Sequence, residues 1–337
     1  MTELKDQLNR NMRDLRISVT DRCNFRCTYC MPKEVFNSKY QFMARDDLLS
    51  FEEISRLAKL FADHGVRKLR LTGGEPLLRK NLDILVAELN AIDGIDDIAL
   101  TTNASILTLE KAQALKTAGL NRITVSLDAI DQATFVKMND REVSVQKVLD
   151  GIDNAHTAGF KEIKVNMVVQ KGVNESDILP MAKYFKGSGN ILRFIEFMDV
   201  GNTNGWNMGQ VVSGKEIINR IQAELPIEPV NSNYRGEVAK RWRYQDGEGE
   251  IGVITSVTEA FCRDCNRMRL SAEGSLYTCL FASHGTDLRR LIREEASDEY
   301  ISEVIANTWK LRTDRYSEIR SENSAPIQKV EMSYIGG

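Results

Sequence analysis

Cys23-Asn24-Phe25-Arg26-Cys27-Thr28-Tyr29-Cys30 decides how the rest of the chain is read. Three cysteines in a C-x3-C-x2-C spacing can turn their sulfurs to one point only if the backbone loops around a metal centre. A cubane [4Fe–4S] cluster fits this requirement, and it ordinarily takes four thiolates. With three supplied, one iron keeps an open position, which in metal enzymes is where substrate or cofactor binds. A structural zinc site and three unrelated buried thiols are the alternatives. Zinc usually takes a C-x2-C pair with a second pair further along, which this compact loop does not match.

At 337 residues the chain has room for two domains, or for one barrel with an appendage. Lys and Arg number 45 against 48 Asp and Glu, and a net charge of −3 gives no field that favours nucleic acid or membrane. An anion site must therefore be built locally. The N-terminus is polar and no apolar run approaches a membrane span, so the expected location is cytoplasmic. Six cysteines fall into two triples, the second being Cys262, Cys265 and Cys279. In an unexported chain such clustering favours metal binding over disulfides.

β-branched apolar runs predict strands at 15–19, 66–72, 97–101, 122–127, 162–169 and 192–198. Three- and four-residue apolar spacing predicts helices at 51–64, 82–90, 109–118, 143–158 and 178–185. Gly65, Gly119 and Gly159 stand where a helix must stop before the next strand. The alternation implies a parallel sheet with right-handed crossovers. Pattern alone does not separate an open doubly wound sheet from a barrel, but Arg70, Thr101, Ser126, Lys164 and Met198 all lie in or at the end of different predicted strands. Those ends converge on one mouth in a barrel. The expected fold is α/β, a partial (β/α)6 TIM-type barrel over residues 1–200, with a smaller α+β region at 201–337.

Thr72-Gly73-Gly74-Glu75-Pro76 follows the second predicted strand, its glycines able to let a ligand approach the backbone. With the cysteine loop and Tyr29 before its last cysteine, this GGEP sequence resembles the radical S-adenosylmethionine (radical SAM) superfamily. The resemblance implies a cluster on Cys23, Cys27 and Cys30 whose open iron chelates SAM, with Tyr29, Gly74, Ser126 and Met198 contacting SAM. Taken alone, Ser126 and Met198 read as a strand hydroxyl and a core methionine.

Cys262-x2-Cys265-x13-Cys279 again lacks a fourth cysteine, and zinc completed by His284 is a serious competitor to a second cluster. Arg267 and Arg269 alternate beside it, so on a strand both point to one side. Arginines suit a polyanion that binds metal at one end and guanidinium at the other. Arg16, Arg70 and Lys164 also interrupt apolar runs, and each needs a partner: a barrel carboxylate, or a shared ligand such as a triphosphate. The chain contains no Walker-type phosphate loop, so side chains must hold any phosphates.

Together, C-x3-C-x2-C, GGEP, the second triple with Arg-x-Arg and the terminal Gly336-Gly337 resemble the GTP 3′,8-cyclase family of molybdenum-cofactor biosynthesis. That resemblance implies two [4Fe–4S] clusters, with GTP held by Arg16, Arg70, Thr101, Lys164, Arg267, Met268 and Arg269, and a Gly336-Gly337 tail reaching the arginines. It implies no catalytic residue beyond cluster and SAM, an external one-electron donor of flavodoxin or ferredoxin type, and hand-over to the next enzyme of the pathway. Oligomeric state stays open, a homodimer included. Where the family usually has Gly after Thr-Thr-Asn, this chain has Ala104, which a positive φ would strain. The competing readings are a radical SAM peptide or sulfatase maturase, which generally needs more cysteines, and a non-catalytic iron–sulfur electron carrier.

Overall fold

The computed structural model describes residues 4–234, 236–320 and 328–336. Six βα units open the chain, with strands β1 (Asp14–Ser18), β2 (Lys68–Thr72), β3 (Asp97–Thr102), β4 (Arg122–Ser126), β5 (Lys164–Val169) and β6 (Ile191–Glu196). Helices α1 (Phe51–Asp63), α2 (Leu82–Asn90), α3 (Leu109–Thr117), α4 (Gln132–Asn139), α5 (Gln146–Thr157) and α6 (Ile178–Phe185) lie between and after them. Local chemistry sets the helix ends. Ser50 and Glu53 form a reciprocal capping box at the start of α1, and Gly65, Gly119 and Gly159 take positive φ beyond α1, α3 and α5. The α4 helix was not predicted, because only Phe135, Met138 and Asn139 of it are buried and they draw no clear stripe.

Beyond residue 200 come α7 (Gly214–Gln222), β7 (Ile227–Val230), β8 (Lys240–Tyr244), β9 (Glu250–Ile254), β10 (Arg267–Leu270), β11 (Ser275–Tyr277), β12 (Thr286–Asp287), α8 (Leu288–Arg293), α9 (Asp298–Lys310), α10 (Tyr316–Ile319) and α11 (Met332–Ile335). These strands extend the same sheet at both edges. The order is β12-β11-β10-β1-β2-β3-β4-β5-β6-β9-β8-β7, with β10 parallel to β1 and β9 parallel to β6. Hydrogen bonds do not join the two outer strands, so the barrel is partial. Among the described residues no helix is long and apolar enough to cross a membrane.

Alternation divides the sheet into two unlike faces. Leu15, Ile17, Leu69, Leu71, Val165 and Met167 are fully buried in one continuous core with helix residues such as Leu57, Phe61 and Leu85. The other face carries Asp14, Arg16, Lys68, Arg70, Thr101, Arg122, Thr124, Lys164, Asn166 and Arg193, which have no such cover.

Ala104 has φ +57° and is buried, so the strain foreseen for a non-glycine residue is present. Its amide donates to Thr102 Oγ1 at 3.0 Å, and its carbonyl lies where a side chain at Gly151 of α5 would fall. We predict that Ala104→Gly is close to silent. Relief of roughly 1–2 kcal/mol of strain is offset by about 0.5–1 kcal/mol of chain entropy and about 0.8 kcal/mol for the lost buried methyl. Urea unfolding checks this, and a change beyond about 2 kcal/mol in either direction contradicts the cancellation.

Candidate active site

Register gives the polar face its geometry. Arg269, Arg16 and Arg70 stand side by side on β10, β1 and β2, and Arg122 follows across Ala99. One row below are Arg267, Asp14, Lys68 and Asp97; the rows above hold Thr101, Thr124 and Lys164, then Ser126, Asn166 and Arg193. Cys23, Cys27 and Cys30 follow the C-terminal end of β1, whereas Cys262 and Cys265 precede the N-terminal end of the parallel β10. The two triples therefore bracket the cationic face from opposite ends.

Burial, then mutual repulsion, depresses most of these cations, whereas at Arg267 burial is outweighed by the Cys265 sulfur, which raises it. Burial first, then Arg269, Arg267 and Arg70, hold Arg16 well below the ordinary guanidinium value. Burial and then Arg193 and Arg122 bring Lys164 down to about 7, and burial brings Lys68 to about 8 against the pull of Asp14. Arg70 donates from Nη1 to Thr101 Oγ1 at 3.0 Å and Thr124 Oγ1 at 3.2 Å, yet its Nε and that of Arg16 have no hydrogen-bond partner among the described residues. Buried donors left unmatched mark a place built for an acceptor.

The internal salt bridge considered for such residues occurs at Lys68, 3.8 Å from Asp14 and 3.7 Å from Asp97, and at Arg122, whose Nε donates to Asp97 at 2.8 Å. Lys68, Arg122, Thr124, Asn166 and Arg193 escaped the sequence reading. Their signal was a shared alternation with Arg70 and Lys164, and for Arg193 also its place inside an apolar run. Met268 does not join the arginines: its side chain is fully buried in the core behind the sheet.

Gly73 and Gly74 are glycine for a different reason from the one foreseen. A Cβ at either would lie 2.4 Å from Thr20 O or 2.2 Å from Arg22 O, so protein backbone fills the space. The Gly74 amide donates to Thr20 O at 2.8 Å. What the turn can offer a ligand is then carbonyl oxygen, which suits an ammonium group. Glu75 is buried and ties this turn to the end of β3, accepting from Thr102 Oγ1 at 2.6 Å and Asn103 N at 2.7 Å. Tyr29 donates to Asp128 Oδ2 at 2.9 Å; burial pushes the Asp128 carboxyl up to about 6. Ser126 ends β4 and Met198 lies two residues past β6, both at the first triple's end of the sheet.

All six thiols are unpaired and half-buried. Burial pushes Cys23 up to about 12, helped by Glu75, and raises Cys27 and Cys30, which feel Asp128 and one another's sulfurs. Such thiols ionise only against added positive charge, which a cluster supplies. At the second triple burial pushes Cys279 up to about 11, but at Cys265 burial is outweighed by Arg267 and Arg312, which bring the thiol down to about 6. Among the described residues no three Cys, His, Asp or Glu side chains close around a single metal ion. A cubane binds its thiolates on separate irons and so needs them further apart. His284 is exposed.

The C-terminal segment enters this face. Ile335 is fully buried, Gly336 packs against Thr72 where a Cβ would be 2.3 Å from Cγ2, and Arg269 donates to the Gly336 carbonyl. Gly337 lies outside the described residues.

Residues 17–185 match the Radical SAM superfamily and residues 190–318 match Molybdenum Cofactor Synthesis C. The fold is thus that of a radical SAM protein, and a SuiB structure from Streptococcus suis bound to S-adenosylmethionine shares it. That likeness has a TM-score of 0.61 at 13% identity, covering 87% of this chain and 67% of SuiB. The chain belongs to the GTP 3′,8-cyclase family. It is 50% identical to the GTP 3′,8-cyclase of Staphylococcus haemolyticus with 100% of both chains covered, and 50% identical to that of Acidothermus cellulolyticus with 99% of both covered.

Proposed function

We propose that this chain is a GTP 3′,8-cyclase of the radical SAM class, using SAM and an iron–sulfur cluster in the first step of molybdopterin biosynthesis. Reductive cleavage of SAM would give methionine and a 5′-deoxyadenosyl radical that takes hydrogen from C3′ of GTP; the C3′ radical would attack C8, and one further electron from the external donor with one proton would convert the resulting guanine radical to 3′,8-cyclo-7,8-dihydro-GTP. Cys23, Cys27 and Cys30 would hold the cluster, with Tyr29, Gly74, Ser126 and Met198 around SAM. Cys262, Cys265 and Cys279 would hold a second [4Fe–4S] cluster facing the guanine. The observation that carries the reading is the row Arg269, Arg16, Arg70 between the triples, with Nε of Arg16 and of Arg70 left unmatched among the described residues. Arg267 in the row below and Thr101 and Lys164 in the row above would serve a triphosphate with it, and the newly found Asn166 and Arg193 stand beside Ser126 in the next row. The protein's part is positioning and exclusion of water, since no side chain need act as nucleophile. Six unpaired thiols suit a reducing cytoplasm. An external flavodoxin- or ferredoxin-type donor and the next pathway enzyme complete the reading, and a homodimer is compatible with it.

Anaerobic iron and sulfide analysis with EPR tests it. About eight irons per chain and a GTP-dependent change in one cluster signal are expected. About four irons plus one zinc would remove the guanine-facing cluster while keeping the radical SAM reading.

Lys164 makes a further prediction. With its free value near 7, it is mostly neutral at pH 8, and a bound polyanion favours its charged form. GTP binding above pH 7 should therefore take up protons, and affinity should fall as pH rises, by up to about tenfold per pH unit for each proton coupled. Calorimetry in buffers of different ionisation enthalpy reads this uptake. Equal uptake in wild type and Lys164→Met would place the proton elsewhere.

A further inference from the structure

Arg312 follows α9 and is only 4% exposed. Its guanidinium turns to the C-x2-C loop: Nη1 donates to the Cys265 carbonyl at 2.8 Å and Nη2 to Cys265 Sγ at 3.3 Å. Trp309 lies 4.6 Å beneath it, Asp314 Oδ2 accepts from Nε at 3.3 Å, and Asp6 Oδ2 stands 3.8 Å from Nη1. Asp6 also holds Arg10 at 2.6 Å, and Arg10 donates to the Cys262 carbonyl at 2.8 Å. Two buried guanidiniums on one buried carboxylate thus grip both ends of the loop. Arg267 reaches the same sulfur at 3.3 Å from the cationic face, but Arg312 lies off the sheet and its contacts named here are all to protein groups.

We propose that Arg312 is a positioning residue for the iron–sulfur centre on Cys262, Cys265 and Cys279: it fixes Cys265 and, by donating to its sulfur, raises the reduction potential of that centre above that of the centre on Cys23, Cys27 and Cys30. The inference rests on the second triple holding a cluster. Hydrogen bonds to cluster sulfurs and nearby positive charge favour the reduced state. The first triple differs: among the described residues no guanidinium donates to its sulfurs, Arg26 reaching only the Cys23 carbonyl at 2.9 Å, while the buried Asp128 accepts from Tyr29 at 2.9 Å beside Cys30. One fold therefore holds one centre without a guanidinium on its sulfurs, as strongly reducing chemistry requires, and the other with two.

The test uses the full chain with Cys23→Ala, Cys27→Ala and Cys30→Ala, reconstituted anaerobically and titrated potentiometrically by EPR. At the potential where this background is half-reduced, Arg312→Gln should lower the reduced-to-oxidised ratio about tenfold, which is about 59 mV for one electron. Arg312→Lys should recover part of the shift. Asp6→Asn, which removes the counter-charge and keeps both arginines, should move the ratio the other way; a clamp of purely structural value would not give opposite signs. In the complementary background with Cys262→Ala, Cys265→Ala and Cys279→Ala, Arg312→Gln should leave the remaining centre unmoved. About four irons with an unmoved ratio in the first background overturn the role of Arg312 alone. Absence of iron there overturns the second-cluster reading and the proposal with it. If Arg312→Gln does not fold, Asp6→Asn decides: a raised ratio supports the proposal and an unchanged or lowered one overturns it.

Discussion

Arg16→Met is expected to stabilise the cluster-free protein and to weaken GTP binding by about 10- to 100-fold. Arg16 sits between Arg269 and Arg70 with an unmatched Nε, and its nearest counter-charge, Asp14, is shared with Lys68. In the absence of an anion its charge is a cost, because burial and three neighbouring guanidiniums all oppose it. Replacing a buried charge with an apolar side chain of similar length is commonly neutral to stabilising, here by about 1–2 kcal/mol. Losing a charge-assisted hydrogen bond to phosphate costs about 1.5–3 kcal/mol, which is the stated loss of affinity. Urea unfolding and equilibrium dialysis with GTP read the two effects separately. A variant that is destabilised and binds GTP normally would show Arg16 to be a structural ion-pair partner.

Glu196→Ala should cost about 3–5 kcal/mol of stability, the largest effect we expect from any residue outside the site. Glu196 ends β6, is fully buried, and has no cationic partner among the described residues. It accepts instead from Gly214 N at 2.7 Å, from Val257 N and Thr258 N at 2.8 Å, and from Thr258 Oγ1 at 2.5 Å. One carboxylate thus closes the start of α7 and the loop after β9 onto the sixth strand. Its removal leaves three backbone donors without acceptors in the interior. Glu196→Gln should not rescue, since its amide presents a donor to donors. A loss below about 1 kcal/mol in urea unfolding would mean that water replaces the carboxylate.

Much of this was legible in residue order. Both triples and the GGEP turn are local patterns, and the strands and helices of the first six units, α4 apart, lie within a few residues of their predicted bounds. Arg16, Arg70 and Lys164 were found because a charge inside an apolar run needs an explanation, and Arg267 and Arg269 because they alternate beside the second triple. Lys68 and Arg122 were not, because they begin their strands, where charge is unremarkable. Arg193 interrupts Ile191–Glu196 as plainly as Arg16 interrupts β1, and attention to the same rule would have found it. Glu196 and Arg312 had no sequence signal, since Glu196 closes on residues from 18 to 62 positions away and Arg312 reaches Cys265 across 47, and the local Asp6–Arg10 pair gives no hint that Arg10 reaches Cys262 across 252.

By itself the sequence determined which chemistry the chain can support: short covalent spacing decides whether three sulfurs can share a cluster, and alternation decides which strand residues share a face. Tertiary structure alone decided the register that lines Arg269, Arg16 and Arg70 into one row and sets the cysteine triples at opposite ends of it. It also decided the carboxylate neighbours of one triple and the guanidinium neighbours of the other. The physical reason is that register and electrostatic surroundings arise from pairing between segments far apart in the chain, which no local pattern encodes.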